Sequence, residues 1–261
     1  MLDVPPVGAD GGGAVLLVPG YTGSKEDFAP LLPMLAAAGH RVVALDQRGQ
    51  HESEGPPEPA AYSPDALAVD LAAVRDGLGL GRAHLVGHSY GGLVARAAVL
   101  ADPTGWATLT LLGSGPAGLT GDRRTSTELL SGTAGGVPLE QLWDGVTAYW
   151  TSQGHDQPPA AAAAFQRERF VRSQPAALVG MGAALLAEPD RVDALRAALL
   201  AGRVPAQVVF GEHDDAWLPE TQRAMAQRLG VAAHAVAGAV HSPAVEAPAA
   251  TAALLLAFFA G

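Results

Sequence analysis

The sequence has 261 residues, of which 49% are hydrophobic and 16% are charged, and its formal net charge is -10. With 16 Lys and Arg against 26 Asp and Glu, and no basic run, there is no excess of positive charge to bind a phosphate backbone. Nucleic acid is therefore not expected as a partner. The absence of cysteine excludes disulfides, thiolate catalysis and Cys-ligated zinc, so the chemistry must come from Ser, His, Asp and Glu.

Two segments bear on the location of the protein. Residues 1–13 contain no Lys or Arg and no apolar run as long as that of a signal peptide. The most apolar stretch, residues 247–261, is too short to cross a bilayer and contains Pro248. The sequence therefore predicts a cytoplasmic protein without a membrane span, either a monomer or a homodimer.

Short apolar runs alternate with helical segments along the chain. Strands are predicted at 14–18, 42–45, 84–86, 107–112, 207–210 and 233–236, and helices at 25–38, 64–78, 90–101, 191–200, 219–229 and 244–259. The strands are continuous runs of Val and Leu, which is typical of strands covered on both faces. The pattern predicts an α/β fold with a mostly parallel central sheet of six or seven strands and helices on both faces.

One interval breaks this alternation. No strand is evident between residues 113 and about 190, although the interval contains Trp143, Tyr149, Trp150 and Phe165. A structureless loop of this length is improbable in a compact domain. The sequence therefore predicts an inserted helical cap, residues 115–188, within a single domain of residues 1–261.

The sharpest motif is the segment GHSYGG, residues 87–92, between a predicted strand and a predicted helix. A serine at such a tight turn is held in a strained backbone conformation, and glycines flank it because a Cβ there would collide with the neighbouring strand and helix. The start of the helix stabilises negative charge. Ser89 is thus the candidate nucleophile.

Four segments together resemble the α/β-hydrolase fold superfamily, over nearly the whole chain. They are VPGYTGS at 18–24, DQRGQHES at 46–53, the turn around Ser89, and GEHD at 211–214 with GAVHSP at 238–243. In such families the nucleophile, the acid and the histidine follow in that order along the chain. The resemblance implies Ser89, Asp214 and His241, as in a Ser-His-Asp esterase or lipase.

The positions of Asp214 and His241 agree with these roles. Each follows a predicted strand by a short loop, which places both at the edge of the sheet where Ser89 lies. His241 would accept the proton of Ser89, and Asp214 would hold the imidazole in the required tautomer. Asp215 is the alternative acid, because a loop register cannot be determined from sequence to one residue.

Other histidines are assigned weaker roles. His88 should point away from the nucleophile, and His213 is a second candidate base that is poorly placed to face Asp214. Five more are scattered without the spacing of metal ligands, so neither a metal nor another cofactor is expected. These five are His40, His51, His84, His155 and His234.

An oxyanion hole needs two backbone N–H groups directed at the reacting carbonyl oxygen. Tyr90 follows the nucleophile and should supply one of them, and the resemblance implies that Tyr21 supplies the other. The chain has Pro19 where the family often has a histidine, which leaves open what supports this loop. The substrate pocket is expected to include aromatic residues, and the candidates are Trp143, Tyr149, Trp150, Phe165 and Trp217.

The identity of the nucleophile bears on the reaction. Epoxide hydrolases and haloalkane dehalogenases of this fold use an aspartate at the turn, whereas a serine with a histidine base suits acyl transfer. We expect hydrolysis of a carboxylic ester or lactone in a small-molecule substrate with an acyl group. Hydrolysis of a carbon–carbon bond, perhydrolysis, and a thioesterase or cyclase step are alternatives, as is a non-catalytic ligand-binding protein.

Overall fold

A computed structural model describes residues 1–8, 11–152 and 159–261. These residues contain one seven-stranded sheet in the spatial order β1-β3-β2-β4-β5-β6-β7, and only β1 runs antiparallel to its neighbour. The strands are β1 Leu2–Val4, β2 Ala14–Val18, β3 Arg41–Ala44, β4 Ala83–His88, β5 Trp106–Leu112, β6 Ala206–Gly211 and β7 Ala232–Val236. The predicted α/β class and the mostly parallel sheet are confirmed.

Helices follow the strands and cover both faces of the sheet. They are α1 Leu32–Ala37, α2 Pro64–Gly77, α3 Tyr90–Ala101, α4 Gly121–Ala134, α5 Leu139–Ser152, α6 Ala160–Val171, α7 Pro175–Ala187, α8 Val192–Gly202, α9 Pro219–Leu229, α10 Pro243–Glu246 and α11 Pro248–Phe259. Two 3-10 helices, Lys25–Phe28 and Pro59–Tyr62, lie in loops.

The alternation of side chains along β2 shows how the core divides. Leu16 and Val18 pack on the face covered by α2, α3, α8 and α9, whereas Val15 and Leu17 pack on the face covered by α1 and α11. All four side chains are fully buried, which explains why the strand is apolar throughout. The sheet therefore packs against a hydrophobic layer on each face. A functional site is expected in the loops at the ends of the strands.

Four helices, α4 to α7, lie between β5 and α8, in the interval where no strand was expected. The interpretation of residues 115–188 as a cap inserted into a single domain stays a prediction. Among the described residues no single helix is long and apolar enough to cross a bilayer. Helices α6 and α7 reach that composition only as a pair, which is bent by 96°.

Candidate active site

Ser89 occupies the turn between β4 and α3, with φ 54° and ψ -119°. Such a backbone conformation is strained for a residue with a side chain. The glycines on either side are required sterically, because a Cβ at Gly87 would lie 2.3 Å from the carbonyl oxygen of Gly91, and one at Gly91 would lie 2.4 Å from that of Val18. The motif therefore folds as its sequence indicates, with Ser89 at the carboxyl end of a central strand.

His241 lies between Ser89 and Asp214. Its Nε2 is 3.0 Å from Ser89 Oγ, and its Nδ1 is 3.0 Å from Asp214 Oδ1. Because a carboxylate only accepts hydrogen bonds, Nδ1 carries the proton and donates it to Asp214. The unprotonated Nε2 then accepts a hydrogen bond from the Ser89 hydroxyl. The three residues, which come from loops after β4, β6 and β7, are thus brought together.

Asp214 is almost fully buried, and its carboxylate accepts hydrogen bonds from three donors. Burial tends to raise its pKa, but the hydrogen bonds from His241, the Ala216 N–H and the Gln222 amide outweigh this and lower the pKa below its usual value. The Gln222 amide donates to Oδ2 at 2.9 Å, and the Ala216 N–H donates to Oδ1 at 3.0 Å. The carboxylate is therefore ionised at neutral pH and fixed in orientation.

Asp215, the alternative acid, has different neighbours. Its side chain is half exposed, and its two oxygens accept from Arg123 at 2.8 and 3.0 Å. Asp214, Asp215 and His241 lie close enough to suit a metal ion, but the first carboxylate already accepts from three donors and the second is held by Arg123. His213 is also turned outward, with 66% of its side chain exposed. The geometry thus supports Asp214 over Asp215 as the partner of His241.

His88 faces the backbone of the His241 loop and not the Ser89 hydroxyl. Its Nε2 donates to the carbonyl oxygen of His241 at 2.8 Å. Burial and the nearby His241 lower the pKa of His88 to about 4, so the ring is neutral at pH 7. It therefore helps to hold the loop that carries His241.

The remaining histidines lie apart from Ser89. His40 and His84 pack against Phe259 of α11, and His51 packs edge-on against Phe165 at 5.7 Å between ring centroids. His234 is in β7, and His155 lies outside the described residues. His51 also lies near Glu26 and Asp46, but the Lys25 ammonium is 2.7 Å from Asp46 Oδ2 and 3.0 Å from Glu26 Oε1. The lysine thus already supplies the positive charge in that group.

Two backbone N–H groups are available beside Ser89. The N–H of Tyr90 belongs to the first turn of α3 and so lacks a partner within the helix. Gly20 lies against the nucleophile, since a Cβ on it would be 3.0 Å from Ser89 Cβ, and the next residue is Tyr21. Within the part of the chain that the structure describes, the Tyr21 N–H has no protein acceptor. The sequence predicts that these two N–H groups form the oxyanion hole, and that role stays a prediction.

Two adjoining cavities open beside Ser89. The site cleft, of about 270 Å³, contains Ser89 and His241. A second cavity of about 510 Å³, which we call the α4–α5 cavity, is mostly apolar and is lined chiefly by those two helices. Four residues line both: Tyr21, Thr22, Arg123 and Thr127. The combined space is within the usual range for a small-molecule site.

The predicted pocket aromatics divide into two groups. Trp143, Tyr149 and Trp150 line the α4–α5 cavity. Phe165 and Trp217 line neither of these two cavities, and their assignment to the substrate pocket stays a prediction. Phe165 packs on His51 and on the Arg169 guanidinium, and the Trp217 indole is buried, with its N–H donating to Ala117 O at 3.0 Å. Trp217 nevertheless lies beside the site, with its ring centroid 6.5 Å from that of His241, and the Arg169 that Phe165 contacts lines the site cleft.

Several polar residues at the site were not found from the sequence. Arg123 lies where the two cavities meet, and Arg169 pairs with Asp27 in the site cleft. Gln47 and Gln50 are buried and donate to the loop that carries Tyr21. Each contact joins residues more than 25 positions apart, so no local pattern indicates it.

Known proteins resemble the chain over parts of its length. It is 42% identical over 101 residues to the Putative carbamate hydrolase RutD of Variovorax paradoxus (strain S110), which is 39% of this chain and 38% of that protein. It is 40% identical over 83 residues to the Bifunctional epoxide hydrolase 2 of Sus scrofa, which is 32% of this chain and 15% of that protein. The matches thus span well under half of either relative.

Similarity of fold extends over the whole molecule. The enol-lactonase from Burkholderia xenovorans LB400 superimposes with a TM-score of 0.76, covering 100% of this chain and 95% of the other at 22% identity. The family model described as alpha/beta hydrolase fold matches residues 13–248. Together with the topology of the sheet, this match shows that the chain belongs to the α/β-hydrolase fold family.

Proposed function

We propose that the protein is a serine hydrolase that cleaves a carboxylic ester or lactone by way of an acyl-enzyme. The observation that carries the proposal is the position of His241, 3.0 Å from both Ser89 Oγ and Asp214 Oδ1. A hydroxyl next to an oriented imidazole base is an activated nucleophile for carbonyl carbon. A serine in place of an aspartate at this turn favours acyl chemistry over epoxide opening, although several relatives are epoxide hydrolases.

In the first half-reaction Ser89 Oγ attacks the carbonyl carbon while its proton passes to His241 Nε2. The carbonyl oxygen gains negative charge, which the N–H groups of Tyr21 and Tyr90 stabilise. The tetrahedral intermediate then expels the alkoxide oxygen, which takes the proton from His241. The Asp214 carboxylate stabilises the imidazolium throughout.

In the second half-reaction a water molecule attacks the acyl-enzyme. His241 Nε2 takes one proton from this water and returns it to Ser89 Oγ as the acyl bond breaks. The products are a carboxylic acid and an alcohol, or one hydroxy acid from a lactone, and the enzyme regains its starting state. Apart from the substrate and this water molecule, the proposed steps use only side chains and backbone groups of this chain.

The substrate we propose has an apolar acyl group of medium size. The α4–α5 cavity is lined by Leu142, Trp143 and Val146 among others, and it meets the site cleft beside Tyr21. Binding of an apolar group there removes its surface from water. In this proposal the helices α4 to α7 act as the cap that closes over the acyl group.

The test is intact mass after treatment with a fluorophosphonate, with Ser89→Ala as the matched control. We expect a single adduct on the wild type and none on Ser89→Ala, because the chain has no cysteine to compete for the probe. Turnover is then measured with para-nitrophenyl esters, lactones, thioesters and carbamates. Absence of an adduct on the folded wild type, together with absence of turnover, would contradict the proposal.

A further inference from the structure

Two side chains from the turn that follows β3 form hydrogen bonds to the loop that carries Tyr21. The Gln47 side-chain amide donates to Pro19 O at 2.8 Å, and the Gln50 amide donates to Gly20 O at 2.7 Å. Both glutamines are almost fully buried. The two side chains thus support consecutive carbonyl groups of the loop, at the place where the resemblance alone indicated no support.

The bond from Gln50 fixes the peptide unit that contains the Tyr21 N–H. The carbonyl of Gly20 and the N–H of Tyr21 belong to one planar trans peptide, in which the two groups point in opposite directions. Gly20 O accepts from Gln50 Nε2 and also from the Gly23 N–H at 3.2 Å. With the oxygen held from that side, the Tyr21 N–H is directed to the opposite side of the plane.

The amide of Gln50 is itself held in one orientation. Its Oε1 accepts from the Gln47 N–H at 3.1 Å, and its Nε2 donates to Gly20 O and lies 3.9 Å from Met181 Sδ. Rotation of the amide by 180° would place its oxygen against the Gly20 oxygen and its NH₂ against the Gln47 N–H. Both contacts would then be repulsive, so one orientation is selected.

The loop also stores backbone strain next to this peptide. Thr22 has φ 47°, which is uncommon for a β-branched residue. A strained conformation persists only where surrounding contacts fix it. The bonds to Pro19 O and Gly20 O, together with the Tyr21 hydroxyl, which donates to Leu178 O at 2.7 Å, are contacts of this kind.

We propose that Gln50 is a positioning residue of the oxyanion hole: its amide sets the plane of the Gly20–Tyr21 peptide so that the Tyr21 N–H faces the reacting carbonyl oxygen. The inference rests on the proposed function, since it needs acyl chemistry at Ser89. An N–H group oriented before the reaction stabilises the developing charge without reorganisation. Gln50 contributes in this way without contacting the substrate.

Three variants separate this role from general support of the loop. Gln50→Met removes the donor with little change in size. Gln50→Glu keeps the acceptor for the Gln47 N–H but places an oxygen against Gly20 O. Gln47→Met is the matched control, because it removes a similar bond to Pro19 O, whose peptide does not contain the Tyr21 N–H.

Turnover of para-nitrophenyl acetate is measured per active site, with the sites counted by the extent of fluorophosphonate labelling, so that loss of folded protein does not enter. We expect kcat to fall by about tenfold to a hundredfold in Gln50→Met, since complete loss of one oxyanion donor costs about 10²- to 10³-fold. Gln50→Glu should lose at least as much, and Gln47→Met only a few-fold. KM should change less than kcat in all three.

A pair of inhibitors supplies the second readout. Ser89 Oγ adds to the carbonyl carbon of a trifluoromethyl ketone while its proton passes to His241, and the product is a hemiketal oxyanion. The corresponding methyl ketone binds without this reaction, as a ground-state analogue. We expect Gln50→Met to weaken binding of the trifluoromethyl ketone by the same factor as kcat falls. Binding of the methyl ketone should be unchanged. In a crystal structure of the wild type with the trifluoromethyl ketone, the oxyanion should lie within hydrogen-bonding distance of the Tyr21 N–H, with Gln50 still bonded to Gly20 O.

The outcomes are distinguishable. If the wild type is labelled and active but kcat per site is unchanged in Gln50→Met, the assignment of Gln50 is wrong and the proposed function stands. Equal losses in Gln47→Met and Gln50→Met, with both ketones weakened together, would also overturn it in favour of general loop support. A wild type that neither labels nor turns over would contradict the proposed function and this inference with it.

Discussion

Asp214 and Asp215 are adjacent in sequence, yet their surroundings differ in every respect that matters for acid–base chemistry. Asp214 is 1% exposed and accepts from His241, whereas the Asp215 side chain is half exposed and is held by Arg123. An exposed ion pair contributes little, because water and salt screen it. The chemical role is therefore expected to belong to Asp214 alone.

Replacement of each aspartate by asparagine tests this difference. Asp214→Asn should lower kcat by about 10³-fold or more, because an amide at this position no longer favours the tautomer with the proton on Nδ1. Asp215→Asn should lower kcat by less than about tenfold. The measurement is kcat for an activated ester, with circular dichroism to check folding. The reverse ranking would assign the acid to Asp215.

The backbone strain at Ser89 predicts that its replacement by glycine gives a more stable protein than its replacement by alanine. Ser89→Gly should be more stable than Ser89→Ala by about 1 kcal/mol, because glycine adopts φ 54° without strain while alanine keeps the Cβ. Both variants should be inactive. Urea unfolding of the two proteins measures the difference, and a Ser89→Gly variant that is less stable than Ser89→Ala would contradict the prediction.

At the scale of residues, the sequence indicated the groups that lie in local motifs and missed those that depend on packing. Ser89 is recognisable because it lies among closely spaced glycines at a turn between a strand and a helix, where a Cβ at Gly87 would meet the carbonyl oxygen of Gly91. Gln50 carries no such mark, because its contact with Gly20 joins positions that are 30 residues apart. The contacts of Phe165 and Trp217 could not be predicted for the same reason, since an aromatic residue does not specify its partners.

In the proposed function the acyl group of the substrate binds in the α4–α5 cavity. Val146 of α5 is partly buried and lines the α4–α5 cavity, with Phe170 among the facing residues. Val146→Trp should fill part of this cavity. We expect kcat/KM for para-nitrophenyl octanoate to fall by about tenfold or more while that for the acetate changes little, because only the longer chain needs the apolar space.

The matched control is Val69→Trp, which adds the same bulk to an exposed position of α2, 67% accessible to solvent. It should leave both esters unaffected. Equal loss for acetate and octanoate in Val146→Trp would mean that the cavity does not receive the acyl chain. An unchanged profile would mean that the chain takes another path from Ser89.

At the scale of elements, two predicted helices differ from the structure because prolines interrupt them, and one strand was not predicted. The helix expected at 25–38 is a 3-10 helix at Lys25–Phe28 followed by α1, because Pro30 lacks the N–H that would continue the hydrogen bonds of a helix. The helix expected at 244–259 is divided at Pro248 in the same way. The strand β1 was missed because Leu2, Asp3 and Val4 give no apolar run; Asp3 is exposed and the other two are half-buried.

At the scale of the whole molecule, the parallel sheet brings the site together. The loops after β2, β4, β6 and β7 carry Tyr21, Ser89, Asp214 and His241, and the carboxyl ends of parallel strands share one edge. This much follows from the order of the strands and could be predicted from sequence. The shape of the cavities depends on how α4 to α7 pack on that edge, which the strand pattern does not determine.

Buried histidines link the stability of the whole molecule to pH. Burial and the nearby His40 lower the pKa of His84 to about 4, and burial with the nearby His241 does the same for His88. The pKa of an unfolded histidine is about 6.5, so between pH 6.5 and 4 the unfolded chain binds more protons than the folded protein. Stability therefore falls as the pH falls through this window, and a histidine with these two pKa values accounts for about 2 kcal/mol between pH 7 and 5.

Urea unfolding at pH 7 and pH 5 measures this loss, and His84→Gln should reduce it by the share that His84 contributes. His213→Gln is the control, because the His213 side chain is 66% exposed and its replacement should leave the loss unchanged. The lowered pKa of Asp214 acts in the same direction at lower pH, since its contribution is lost only as the pH falls below about 4. If His84→Gln kept the full loss between pH 7 and 5, the neutral state of His84 would not be a source of the pH dependence, and the buried site around His88 would have to account for it alone.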